Sequence, residues 1–162
     1  NPIFVYGVER FAADAASVGV DAVLTVDLPF EELDELLGPL AERDVGVIPL
    51  LAPTSTEDRL ARVAALAPPF VYYISMTGVT GATLAGGVGL ALRISDIRRV
   101  TGAAVAVGFG IKTPADAVAI ASMADAVVVG SAVVQRIAEA APGTAPAAVE
   151  RFVAELKAAL PR

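Results

Sequence analysis

Three glycine-bearing segments follow predicted strands, where backbone N–H groups could bind an anion. These segments are residues 75–81, 108–110 and 129–132. Glycine lets a ligand approach the backbone closely, and a helix beginning at Ser131 would add the positive end of its dipole. For one Gly-x-Gly pair, a simple tight turn is an equally good explanation. Three such turns at one edge of a sheet favour a phosphate-binding site instead.

The elements predicted around these segments alternate between strand and helix. Short β-branched runs predict five strands, at 22–26, 45–51, 70–75, 103–107 and 126–129. Alanine-rich stretches predict helices at 7–18, 31–43, 56–66, a stretch ending near 100, 114–122, 131–140 and 146–160. This alternation predicts a parallel sheet covered by helices, in one α/β domain over residues 1–162.

Such a sheet could be doubly wound, or it could belong to a TIM (β/α)8 barrel. Barrels often bind phosphate after their last two strands, which here end in glycine segments. A doubly wound sheet more often uses the loop after its first strand, and residues 27–30 contain no glycine. The sequence therefore predicts about five βα units of a TIM barrel. Because a whole barrel takes about 250 residues and the chain begins at Asn1, we expect the C-terminal portion of a longer enzyme.

Composition excludes several function classes. The chain has no cysteine for a disulfide or thiolate metal site, and no histidine to act as base or ligand. Its formal net charge of −6 argues against nucleic-acid binding. No apolar run approaches the roughly 18 residues that a membrane span needs. We expect a cytoplasmic protein.

Seven segments resemble the alpha chain of tryptophan synthase in order and spacing. They are residues 1–4, 19–29, 48–54, 70–75, 77–81, 107–111 and 129–134, and they extend over nearly the whole chain. The resemblance implies a TIM-barrel lyase of tryptophan biosynthesis that cleaves indole-3-glycerol phosphate to indole and glyceraldehyde 3-phosphate. It also implies no cofactor in this chain, since pyridoxal phosphate belongs to the beta chain.

The same resemblance assigns roles to individual residues. Tyr72 would support the reaction in the substrate pocket, and strand alternation predicts that Tyr73 points to the opposite face and packs under the helices. Both could instead be core aromatics on a buried strand. Independently of the resemblance, the charge of Lys112 and its position close to the glycine pair indicate that it could assist phosphate binding. The residues assigned to the substrate phosphate are Thr80, Gly81, Phe109, Gly110, Gly130 and Ser131.

The chemistry needs a positioned acid and base, because one proton is donated to the indole ring and another is removed from the glycerol hydroxyl. In the family these groups are a Glu and an Asp, and neither has a counterpart in these 162 residues. We therefore expect no catalytic residue here and no turnover by these residues alone.

Partner surfaces follow from the resemblance as well. Asn1, Phe4, Asp27 and Pro29 match loops that contact the beta chain, although ordinary turn residues would look the same. Open strand edges would also favour self-association of the chain.

Two other interpretations remain open at this point. A different phosphate-binding barrel enzyme, such as an isomerase or aldolase, would share the glycine segments but would need its own base or Schiff-base lysine at a strand end. Only Lys112 comes near that position. Alternatively, the chain is a non-catalytic barrel fragment that serves as a folding or assembly unit.

Overall fold

The computed structural model describes residues 1–74, 87–108 and 110–161 as parallel strands covered by helices. In chain order the elements are α1 (Pro2–Tyr6), α2 (Val8–Ser17), β1 (Ala22–Val23), a 3-10 helix (Phe30–Glu32), α3 (Asp34–Ala41), β2 (Gly46–Val47), β3 (Leu50–Leu51), α4 (Glu57–Ala65), β4 (Phe70–Ile74), α5 (Gly87–Thr101), β5 (Ala104–Gly108), α6 (Pro114–Ala121), β6 (Ala126–Val128), α7 (Ser131–Glu139) and α8 (Ala145–Ala159).

The strands are all parallel, and their spatial order follows the chain. β1 pairs with β2, and β3, β4, β5 and β6 pair in that order. A doubly wound sheet would reverse its strand order at a switch point. The unbroken order is that of a barrel wall, in which each βα unit adds one strand beside the last.

The second predicted strand is divided in the structure, so the prediction of five strands is wrong by one. Residues 45–51 form β2 and β3, with Ile48 and Pro49 between them. The Ile48 amide donates to the Val23 carbonyl at 2.9 Å, and the Tyr72 amide donates to the Pro49 carbonyl at 2.9 Å. Proline has no N–H to continue a ladder. This one segment therefore pairs with β1 on one side and with β4 on the other.

The predicted helices are present, with ends displaced by up to three residues. Two further elements were not predicted: α1, which begins with Pro2 at its first position, and the 3-10 helix after Pro29. That 3-10 turn delays the start of α3 from residue 31 to Asp34. Within the described ranges, no helix is long and apolar enough to cross a membrane.

The core lies between the sheet and the helices that cover it. In β4, Val71 and Tyr73 are buried while the alternate residues are only half-buried. They share one apolar cluster with Val105 of β5 and with Leu60 and Ile97 of the covering helices. This packing fixes the carboxyl ends of β4, β5 and β6, from which the candidate site is built.

Candidate functional site

A cavity of about 510 Å³ opens at the carboxyl ends of β4, β5 and β6. It brings together four residues that the sequence predicted for one site: Tyr72, Gly110, Gly130 and Ser131. Ile111, Lys112 and Val128 complete its lining. Three other predicted residues, Thr80, Gly81 and Phe109, lie outside the described residues.

Strand alternation in β4 directs its two tyrosines to opposite faces. Tyr73 is 3% exposed in the core beneath the helices, whereas Tyr72 is half-buried and lines the cavity. The phenol of Tyr72 lies directly over Gly108. A Cβ atom added at Gly108 would be 2.7 Å from Tyr72 Cζ and 3.2 Å from Val128 Cβ. The sequence places Gly108 in a glycine segment but does not reveal this packing role.

The first turn of α7 begins at the cavity lining, where Gly130 and Ser131 lie. Gly130 is its N-cap and has no side chain to bond the first amides. The amides of Val133 and Val134 both donate to the Gly130 carbonyl, at 2.9 and 3.2 Å. Neither the Ser131 nor the Ala132 amide donates to an acceptor in the part of the chain that the structure describes. Free amides at a helix N-terminus are suited to an anion.

The loop on the other side of the cavity is held by its own contacts. The amides of Lys112 and Thr113 donate to Asp116 Oδ2 at 3.0 and 2.9 Å, and the Asp116 amide donates to Thr113 Oγ1 at 3.2 Å. This capping box closes the N-terminus of α6. Gly110 has a φ of +71°, in the left-handed region that favours glycine. The backbone of Lys112 and Thr113 is therefore held by hydrogen bonds within the loop itself.

The electrostatics of the cavity favour a negatively charged ligand. Lys112 is its only charged lining residue in the described part of the chain. Asp116 lies just outside the lining. Burial works to raise the pKa of Asp116, but the Lys112 amide, the Thr113 hydroxyl and amide, and the Lys112 charge together hold that pKa below its usual value. The Asp116 carboxylate thus accepts hydrogen bonds from the backbone of its own loop.

The residues predicted to contact a partner are also close together. Asn1, Phe4 and Asp27 line one cavity of about 430 Å³ between α1 and the loop after β1. Pro29 lines an adjoining cavity of about 220 Å³, which Asp27 also borders. All four are exposed. They form one continuous surface at the end of β1, and their contact with a partner stays a prediction.

The cavity's chemistry is that of binding rather than of proton transfer. It offers amides, one hydroxyl, one phenol and one ammonium group, and no Asp or Glu is among its described lining residues. No group of three or more potential metal ligands occurs among the residues the structure describes. The arrangement can hold an anion and orient the group attached to it.

Parallel strands in chain order, with a glycine-lined cavity at their carboxyl ends, define this protein as a member of the TIM-barrel class. Comparison with known proteins makes the assignment specific. The family model described as tryptophan synthase alpha chain matches residues 1–160. The chain belongs to that family.

Individual relatives agree with this assignment. The chain is 48% identical over 162 residues to the tryptophan synthase alpha chain of Acidiphilium cryptum, covering 99% of this chain and 59% of the relative. For the alpha chain of Pelobacter propionicus the identity is 46%, with 99% and 60% covered. The chain thus spans about three fifths of the length of these curated relatives.

Solved structures show the same similarity. The alpha chain of Legionella pneumophila superposes with a TM-score of 0.86 at 30% identity, covering 99% of this chain and 59% of that one. Mycobacterium tuberculosis tryptophan synthase gives a TM-score of 0.84 at 35% identity, with 99% and 59% covered. The predicted fold class and family are confirmed, whereas the roles of individual site residues stay predictions.

Proposed function

We propose that this chain serves a lyase of the alpha-chain type in tryptophan biosynthesis, by holding in its cavity the phosphate of indole-3-glycerol phosphate. The overall reaction would release indole and glyceraldehyde 3-phosphate. One observation carries the proposal: Gly130 and Ser131, at the start of α7 where the first amides have no acceptor in the described part of the chain, line one cavity with Gly110 and Lys112. Membership of the family supplies the identity of the substrate.

The proposed phosphate contacts are mostly main-chain donors. The amides of Ser131 and Ala132 would donate to the phosphate oxygens, and the Ser131 hydroxyl would add a further hydrogen bond. Gly110, with its left-handed backbone, allows the ligand to approach the opposite loop. Thr80, Gly81 and Phe109 would complete the site by family resemblance. Fixed amides bind a dianion without first having to be reoriented.

Cleavage requires groups that these residues do not bring to the cavity. A retro-aldol step moves protons to the indole ring and from the glycerol hydroxyl, so it needs an acid and a base. The described lining includes Tyr72 but no carboxylate. We therefore propose that residues 1–162 hold the substrate without cleaving it. Since the step breaks the carbon–carbon bond between the indole ring and the glycerol chain with these two proton transfers alone, it requires no cofactor of its own, and pyridoxal phosphate would belong to the beta chain.

The proposed partner is the tryptophan synthase beta chain. Asn1, Phe4, Asp27 and Pro29 form the exposed surface that would contact it. Among the solved relatives is one described as a tryptophan synthase complex, from Pyrococcus furiosus, with a TM-score of 0.81 at 30% identity. A cytoplasmic location is part of the same proposal.

Titration calorimetry of the purified chain tests the phosphate site. Glycerol 3-phosphate should bind with saturation, and glycerol should not, because only the former carries the anion. Ser131→Ala should weaken binding by about tenfold, the effect of one hydrogen bond to a charged group. Ser122→Ala is the matched control, since Ser122 is an exposed serine at the other end of α6. Equal weak binding of both compounds would contradict the proposed site.

The same sample tests the absence of cleavage. Indole-3-glycerol phosphate should bind, while no indole should be released above the uncatalysed rate. Indole release that Ser131→Ala reduces would show that an acid and base are present after all, and would contradict this part of the proposal.

A further inference from the structure

Lys112 gives the cavity a positive charge in addition to its backbone hydrogen-bond donors. The chain as a whole is acidic, with a formal net charge of −6, and would repel a dianion at long range. Lys112 nevertheless lines the same cavity as Gly130 and Ser131 at the N-terminus of α7, and it is the single charged residue among the described lining residues. Two positive contributions, a lysine and a helix dipole, thus belong to one cavity.

The Lys112 ammonium is not committed to an ion pair in the described part of the chain. None of the described pairs within 4.0 Å includes it. The nearest carboxylate along the chain, Asp116, binds the amides of Lys112 and Thr113 through Oδ2. Lys112 contributes to the low pKa of Asp116 from beyond ion-pair distance. Its backbone is fixed by that hydrogen bond, while its exposed side chain keeps its rotamer freedom.

We propose that Lys112 is a substrate-binding residue of this chain, whose ammonium binds the phosphate from the side opposite Ser131. The inference rests on the proposed function and extends it. A site made only of amides and one hydroxyl would hold the phosphate without a formal positive charge. With Lys112 the site binds the phosphate in two ways, through backbone donors of fixed geometry and through a positively charged ammonium group.

The expected change in phosphate affinity on removing the Lys112 charge follows from the exposure of this side chain. An exposed ion pair contributes at most about 1 kcal/mol, and this pair would add to contacts that already bind the ligand. Removing the charge should therefore raise the Kd for glycerol 3-phosphate by about fivefold at low salt. The difference should shrink towards about twofold near 0.3 M salt, because ions screen an exposed charge far more than they screen buried contacts.

The chain offers an unusually clean control, because it contains only two lysines, Lys112 and Lys157. Lys157 is exposed on α8 and is not part of the cavity lining. Lys112→Met and Lys157→Met change the net charge equally, whereas Lys112→Arg keeps the positive charge. Both lysines are exposed, so neither change should perturb the core, and circular dichroism of each variant checks this.

Titration calorimetry with glycerol 3-phosphate, at 20 mM and at 300 mM salt, tests the inference. We expect Lys112→Met to bind about fivefold more weakly at the lower salt, with Lys157→Met and Lys112→Arg close to the unaltered chain. If both methionine variants weaken binding equally, net charge is responsible and the inference is wrong. If Lys112→Met binds normally, the inference is wrong while the proposed function stands. Failure of the unaltered chain to bind at all would contradict the proposed function itself.

Discussion

Replacing Gly108 by alanine should disturb the cavity through Tyr72. Gly108 does not have a positive φ, so its backbone conformation accepts alanine. The added methyl group is the difficulty, since it would lie 2.7 Å from Tyr72 Cζ and 3.2 Å from Val128 Cβ. Tyr72 is also part of the cavity lining. The ring must therefore rotate towards the cavity, or β5 must shift away from it.

The expected loss of stability is moderate, because two effects oppose each other. Overpacking of this kind costs about 1–3 kcal/mol. A glycine-to-alanine change also restricts the unfolded chain, which stabilises the folded state by about 0.4–1 kcal/mol. The net destabilisation should be about 1–2 kcal/mol. Because a rotated ring would occupy ligand space, the Kd for glycerol 3-phosphate should rise by about tenfold.

A double-mutant cycle tests the assignment of the clash to Tyr72. Urea unfolding, followed by circular dichroism, should show that Gly108→Ala is neutral or slightly stabilising in a Tyr72→Ala background. The coupling energy should be about 1–3 kcal/mol, as for residues in direct contact. Gly89→Ala is the matched control, because a Cβ atom there meets nothing within 4 Å. A coupling energy near zero, with unaltered phosphate binding by Gly108→Ala, would refute the reasoning.

Two further predictions concern stability and association. Asp125 accepts hydrogen bonds from the Val105 amide at 2.8 Å and from Arg98 Nη2 at 2.9 Å. Burial works to raise its pKa, but these partners hold the pKa below the ordinary value of 3.8. Asp125→Asn should therefore cost about 1 kcal/mol at pH 7 in urea unfolding. Since a lowered pKa contributes stability that is fully present above the unfolded value and is lost as the pH falls through the lower folded value, this difference should diminish as the pH falls below 3.8; a difference that does not diminish on acidification would contradict it. In the described structure β1 and β6 each pair on one side only, so sedimentation should give a mass above 16.4 kDa, and a compact monomer would contradict this.

The sequence predicted the kinds of elements well because their patterns are local. The capping box at Thr113 and Asp116 is visible as residue types and spacing, and the structure forms it. Glycine after β5 and β6 likewise marked the edge at which the cavity lies. Alternation along β4 predicted opposite faces for Tyr72 and Tyr73, which is where the structure places them.

What the sequence did not reveal depends on contacts between distant segments. The division of residues 45–51 is marked locally by Pro49, but the pairing with β1 on one side and β4 on the other joins segments that are distant in the chain. The approach of Tyr72 to Gly108 joins residues 36 positions apart, so glycine at 108 indicated an anion-binding turn and not this contact.

The contacts that shape the cavity are concentrated in a short part of the chain. Tyr72 over Gly108, the capping box at Thr113 and the open start of α7 all lie between residues 72 and 134. None of them involves the surface around Asn1 and Asp27. Because the energetic effects of substitutions at separate sites with no shared partners usually add, a substitution at that surface should leave the proposed phosphate binding unchanged. The phosphate affinity proposed for the cavity can therefore be measured and altered separately from the proposed partner contact.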